Sequence, residues 1–403
     1  MYRFVKRQNL AADYNPRTME ERKTKRIVFW QNMPSHHQAE YIVELATTHG
    51  YDVTWAVEQS VEGTIRAEMG WPEFEAAGVN LVVQPDDSTI RQLIEESPEN
   101  SLHLFSGVYF NRHVRRAFLR ARRTNARLAL MAESPVPAGL LLDTETKSLG
   151  ARLRFLVPVI HRGFKAAFGK QIQRVFCIGK LSREWYTNLG YTKNQIVSWA
   201  YFPPAPKQIP NFKQNKTVTF IYMGFLANHK GIDTAVSALS NVTGDWKLIC
   251  IGEGPLEQTL KSTVAKSGVT EKCEFMGFQK WERAMAMLEK ADYALVPSRY
   301  DGWGAVVSEA LMRGVRVLVS DHAGACDLVR EAWRGSMLPA GDDHAWQSAI
   351  QQAIDSGPLD EQDRRKVFDW ATCITGASGA AYFDQIVRAM DHRSEPPTAP
   401  WFE

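Results

Sequence analysis

The chain has 403 residues, 44% hydrophobic and 23% charged, with a formal net charge of +3. That length suits two ordinary domains with a core each, and the composition excludes disordered and fibrous classes. Its five cysteines, Cys177, Cys250, Cys273, Cys326 and Cys373, are scattered and odd in number, which argues against a disulfide framework and implies a reducing cytoplasm.

Residues 1–25 are polar and charged, lack the apolar core of a signal peptide, and are expected to form a flexible lead-in. No stretch approaches the roughly 18–20 apolar residues of a spanning helix. Short apolar runs follow at 27–30, 53–57, 81–83, 102–105, 128–131 and 175–178, with a helical pattern over 38–48. Continuous apolar strands separated by helices predict a parallel sheet covered on both faces.

Several polar residues stand at the ends of these runs. In Asn32-Met33-Pro34-Ser35-His36-His37-Gln38, Ser35 is a good N-cap for a helix beginning near His36. His36 and His37 are candidates for contacting ligand hydroxyls or phosphate; the plainer reading has one solvated and one packed. Ser106 and Glu133 end later runs and are further ligand-contact candidates, Glu133 also as a base-like carboxylate or simply a loop cap.

The first half is also basic. Arg112, Arg115, Arg116, Arg120, Arg122, Arg123 and Arg127 read as one helical segment with Val114, Phe118 and Leu119 interleaved. Arg152, Arg154, His161, Arg162, Lys165 and Lys170 flank Phe155-Leu156-Val157 and Phe164. Such a surface suits an anionic membrane, a salt-bridged solvated face being the alternative. Nucleic acid is not expected, for want of an aromatic stacking platform.

Three prolines at 203–206 and a polar run to Lys216 mark a linker, after which apolar runs resume at 218–223, 248–251, 273–275, 293–296 and 315–319. The expected class is α/β, with two doubly wound Rossmann-like domains (26–205 and 206–370) facing a ligand-binding cleft. In the second unit, Pro297-Ser298-Arg299-Tyr300-Asp301-Gly302-Trp303-Gly304 leads into Ala305-Val306-Val307-Ser308-Glu309-Ala310. Gly302 and Gly304 let backbone amides approach an anion or a sugar hydroxyl, and Glu309 can point back to the same cleft.

This segment resembles the donor-site signature of retaining GT-B glycosyltransferases of family 4, P-S-x-x-E-G-x-G-x-x-x-x-E-A, with Asp301 in place of the first glutamate. Further segments fall in the family's order: Met223-Gly224-Phe225-Leu226-Ala227-Asn228-His229-Lys230-Gly231, Gly252-Glu253-Gly254-Pro255-Leu256, and Phe275-Met276-Gly277-Phe278. Ala291-Asp292, the turn at 320–324 and Pro339-Ala340-Gly341-Asp342 complete a register from about Phe220 to Gly341. Phe225 departs from the pattern, because the family has an arginine there.

The resemblance implies a GT-B fold whose first domain takes an acceptor and whose second takes a nucleotide sugar. A helix at 371–392 would cross back to the first domain, leaving an irregular tail at 393–403. Donor contacts would come from Gly224, Lys230, Gly252, Gly254, Phe278, Asp301, Gly302, Trp303, Gly304 and Glu309. Lys230, Asp301, Glu309 and Glu133 would carry the chemistry, with Lys230 and the helix start near Gly304 stabilising the leaving diphosphate.

No Asp-x-Asp element is present and no His/Cys/Asp cluster has metal-ligand spacing. The implied reaction is therefore metal-independent and cofactor-free: retaining transfer from a UDP- or GDP-sugar to a glycan or lipid-linked glycan. Bacterial polysaccharide or lipopolysaccharide assembly is the implied setting, in the cytoplasm or peripherally on the inner face of the membrane. The alternatives are a degenerate GT-B protein that binds without transfer and a sugar-nucleotide 2-epimerase. A glycosidase carboxylate pair fits less well, since the lysine and glycine turns suit a diphosphate.

Overall fold

The computed structural model describes residues 23–60, 76–136 and 156–403. The lead-in before Lys23, together with Arg152, Arg154 and Phe155, lies outside the described residues.

The first sheet contains β1 (Arg26–Gln31), β2 (Asp52–Val57), β3 (Val79–Val83), β4 (Ser101–Phe105), β5 (Arg127–Ala132), β6 (Ile172–Ile178) and β7 (Ile196–Trp199). Its order is β3-β2-β1-β4-β5-β6-β7, and every pairing is parallel. The second contains β8 (Val218–Met223), β9 (Trp246–Ile251), β10 (Cys273–Phe275), β11 (Tyr293–Val296), β12 (Arg316–Ser320) and β13 (Gly335–Leu338). Its order is β10-β9-β8-β11-β12-β13, again parallel. The two doubly wound α/β units are thus as expected. β7 and β13 escape sequence reading because each mixes polar with apolar residues and is only partly buried, so neither shows a continuous apolar run.

Strand order reverses between β1 and β4 in one sheet and between β8 and β11 in the other. Segments leaving these four strands flank the crevice where open α/β sheets take ligands. Helix His36–Thr47 leaves β1, with the Ser35 hydroxyl accepting from the His37 amide at 3.3 Å.

Helix Gly376–Asp391, near the end of the chain, packs on helix His36–Thr47 and completes the first core. Its Phe383 ring stands 5.8 Å from Phe29 and 5.2 Å from Phe176, while the Tyr51 hydroxyl donates to Asp384 Oδ1 at 2.6 Å. Burying one such phenyl ring contributes about 1.5–3 kcal/mol.

Three expectations are revised. The arginine-rich helix ends at Ala121, so Arg122 and Arg123 lie in the following turn. Arg127 opens β5 instead, 3.2 Å from Asp391, because the strand's apolar run starts immediately after it. The tail is also ordered: Pro400–Phe402 form a 3-10 turn, and Trp401 is buried against Phe202 and Tyr382. Finally, Thr24 is buried with its hydroxyl on Asp391 at 2.9 Å, which ties the last residues of the supposed lead-in to the fold.

The two units meet along the crevice floor. Arg183 of helix Gly179–Asn188 pairs with Asp327 at 2.5 Å. The Phe402 ring lies under Arg183 at 5.4 Å and Arg330 at 3.9 Å. Gly179 sits directly on Gly324, since a Cβ on Gly179 would come within 2.7 Å of the Gly324 backbone.

Candidate functional site

After β8, residues Asn228–Lys230 make a single 3-10 turn that ends at Gly231. Gly231 has φ +64°, and a Cβ there would stand 1.9 Å from the Pro297 carbonyl oxygen. Only glycine permits both the left-handed backbone and this close approach. The Lys230 turn therefore lies on the exit of β11, and Lys230 Nζ reaches Asp301 Oδ2 at 2.6 Å. Arg299 braces the same two loops: it forks onto Asp233 at 2.7 and 2.6 Å and donates to the Asn228 carbonyl at 2.7 Å.

The backbone of Asp301 is fixed on both sides. Its amide donates to the His322 carbonyl at 3.0 Å, and its carbonyl accepts from the Gly324 amide at 3.0 Å. Helix Ala305–Leu311 follows but spans only seven residues, so its dipole adds little. The local cation is Lys230, 28% exposed, facing Asp301, 19% exposed.

Glu309 sits in the second turn of that helix and is 4% exposed. Trp281 Nε1 donates to its Oε1 at 3.2 Å. Burial raises the Glu309 carboxyl above the usual range, opposed by the Trp281 hydrogen bond and by Arg313. Across the crevice stand His36 and His37, both buried. One ring nitrogen of each and one Glu309 carboxylate oxygen lie within 4.8 Å of one another. Linear spacing gives no metal-ligand set in this chain; folding brings one together from both domains.

Glu133, at the end of β5, accepts from the Tyr201 hydroxyl at 2.7 Å. Its other oxygen lies over the signature turn, where a Cβ on Gly302 would come within 2.1 Å of it. The neighbouring Ser134 carbonyl accepts from the Tyr300 hydroxyl at 2.5 Å. His36, His37 and Glu133 thus meet the second domain, whereas Ser106 stands half-buried at the end of β4 with its amide on the Trp30 carbonyl.

Other expected donor residues divide. Gly224, Gly252 and Gly254 let the turns after β8 and β9 pack backbone on backbone: a Cβ on Gly252 would stand 1.9 Å from the Gly224 carbonyl oxygen, and one on Gly254 2.5 Å from that of Leu226. Phe278 is exposed at the end of β10, its amide donating to Glu253 at 3.2 Å. Gly304, φ +88°, turns the chain into its short helix. Trp303 is corrected: its indole is 2% exposed, within the core beneath the turn, and donates to Ser308 Oγ at 3.2 Å. Phe225, which stands where the family has an arginine, is 55% exposed.

Trp281, Tyr201, Tyr300 and Arg299 complete the site and carry no local signal. Trp281 reads simply as an aromatic opening helix Trp281–Leu288; its contact with Glu309 arises from the tertiary packing.

Residues 206–368 match the family profile described as glycosyl transferases group 1. An uncharacterized glycosyltransferase of Methanocaldococcus jannaschii is 22% identical over 162 residues, 39% of this chain and 45% of its own. The lipopolysaccharide 1,6-galactosyltransferase of Escherichia coli K12 is 26% identical over 139 residues, 33% of this chain and 39% of its own. The chain thus spans less than half the length of these curated relatives. Among solved structures, the lipopolysaccharide outer core galactosyltransferase WaaB, apo form, superposes with a TM-score of 0.64 at 12% identity. That superposition covers 89% of this chain and 99% of WaaB, and the shared fold is GT-B.

Proposed function

We propose that this chain is a retaining glycosyltransferase of family 4 that moves a sugar from a UDP- or GDP-sugar to a glycan or lipid-linked glycan without a metal. The observation that carries the reading is the Lys230–Asp301 pair at 2.6 Å, held at the reversal of the second sheet and facing Glu133 of the first domain. The group 1 profile over 206–368 supports the same reading.

In this reading Lys230 stabilises the negative charge that grows on the leaving diphosphate. Asp301 holds that lysine and, with the amides of its turn, takes hydroxyls of the transferred sugar. Glu309 accepts from the donor's ribose hydroxyls, and its desolvation makes those hydrogen bonds strong. Glu133, His36, His37 and Ser106 face the acceptor. The anomeric carbon–oxygen bond to the diphosphate breaks as the acceptor oxygen bonds on the same face. The acceptor's proton passes to the departing phosphate oxygen.

The lipopolysaccharide galactosyltransferase similarity supports a bacterial surface glycan as acceptor. The first-domain surface supports peripheral attachment to an anionic membrane. Phe110 is 63% exposed and Val159 62% exposed beside Arg112, Arg115, Arg162 and Lys165. Part of the arginine surface is already paired, with Arg116 on Asp87 at 3.3 Å and Arg120 on Glu95 at 3.4 Å. Among the described residues, no helix is long and apolar enough to cross a membrane.

Incubation with a panel of UDP- and GDP-sugars, with the anomer of the released sugar followed by NMR, tests the reading. Slow hydrolysis of one donor with retention is expected, undiminished by EDTA. A second reading, binding without transfer, is favoured by Phe225 standing where the family has an arginine. Tight nucleotide binding with no turnover of any donor would select it.

A further inference from the structure

We propose that His36, His37 and Glu309 form a zinc site that bridges the two domains across the crevice. Two imidazoles and one carboxylate are a donor set that zinc takes, leaving a fourth position for water. Their ligand atoms already lie within 4.8 Å of one another. All three side chains are buried, at 2%, 8% and 4% exposure, so a bound ion would be shielded from competing solvent.

The supports of the cluster suit an ion. Ser35 caps the helix that presents both histidines, fixing their backbone. The Trp281 indole N–H on Glu309 Oε1 is an outer hydrogen bond of the kind that orients ligating carboxylates. Arg313 is the opposing charge, but its guanidinium is turned to Glu289 at 3.6 Å and to the Glu309 main-chain carbonyl at 3.0 Å. Zinc bonds of about 2.0–2.2 Å in tetrahedral geometry require ligand atoms about 3.3–3.6 Å apart. Binding would therefore draw the histidine rings and the carboxylate together from their present separation.

Because the ligands come from both domains, the ion would hold the crevice closed. It would also occupy the carboxylate assigned above to the donor's ribose, so zinc and nucleotide would exclude one another; that clause alone rests on the proposed function. Zinc here is a brake on the crevice and takes no part in transfer.

The test uses the full chain stripped with chelator and titrated with zinc chloride by calorimetry and by competition with a chromophoric chelator. One equivalent is expected to bind. His37→Ala and Glu309→Gln should each weaken binding by about ten-fold or more, and cobalt should give the intense visible bands of a four-coordinate ion. Thermal melts of the metal-free variants check that they fold. No stoichiometric uptake, or uptake unchanged in a His36→Ala/His37→Ala double variant, overturns the site. Repeating the titration with UDP separates the two readings. Mutual exclusion supports both. Zinc uptake indifferent to bound UDP keeps the site and rejects Glu309 as a donor residue, and UDP binding without zinc uptake rejects the site alone.

Discussion

Replacing Lys230 with methionine removes the cation and keeps most of the side chain's bulk. At the 2.6 Å separation from Asp301 the gross attraction lies between about 1.6 kcal/mol at the dielectric of water and about 6 kcal/mol at an effective value of 20. With 28% and 19% of the two side chains exposed, solvent screening leaves a net contribution of about 0.5–1 kcal/mol. Lys230→Met should therefore lower the melting temperature by only about 1–2 °C. Its effect on turnover should be larger, about 10²–10³-fold at saturating donor, because the lysine meets charge that is greatest in the transition state. Nucleotide affinity should fall less than turnover. Adding Asp301→Asn should restore the melting temperature and leave turnover low, separating stability from catalysis in one cycle. Turnover within about three-fold of wild type in Lys230→Met would refute the role assigned to this lysine.

Glu309→Gln should raise the melting temperature at pH 8. Burial lifts the folded carboxyl's pKa above 4.5, so the native state binds the proton more tightly and wild type loses stability as pH rises through that folded value. Below pH 4.5 the advantage should vanish; no gain at pH 8 would contradict the burial argument. His103 is buried with its Nδ1 accepting from Trp30 at 3.0 Å, and burial, with Arg26 nearby, depresses its pKa to about 3. Its contribution is complete above pH 6.5 and falls by about 2 kcal/mol by pH 5, a slope that urea melts of His103→Gln should flatten. Gly231→Ala should cost on the order of 2–4 kcal/mol in chemical denaturation and abolish donor turnover, given φ +64° and the Pro297 carbonyl. Phe110→Ser with Val159→Ser should reduce flotation with anionic liposomes and spare donor hydrolysis.

Much of the architecture could be read from local pattern. Runs such as 27–30 and 293–296 are buried on both faces and so are apolar throughout, which reveals a covered parallel sheet. The donor-side turns were legible because backbone approach demands glycine at Gly231 and Gly252. Partnerships across the crevice were not. Glu133 meets Gly302, and His36 and His37 meet Glu309, only because two strand reversals face each other, which no local periodicity encodes. Trp303 misled for a related reason. In sequence it sits between two glycines of a ligand turn, and only the packing below shows its ring pointing inward. The tail misled through its three prolines, which read as irregular chain, whereas Pro400 opens a 3-10 turn that docks Trp401 and Phe402.

The contact of Gly179 on Gly324 leaves no room for a side chain at either position: a Cβ on Gly179 would come within 2.7 Å of the Gly324 backbone, and one on Gly324 within 2.0 Å of the Gly302 carbonyl oxygen. At this point the two units touch main chain to main chain. Around it the guanidinium groups of Arg183 and Arg330 hold Asp327 and Phe402. Two missing methyl groups thus set how near the second unit comes to the first, and the same glycine, Gly324, backs the turn that carries Asp301.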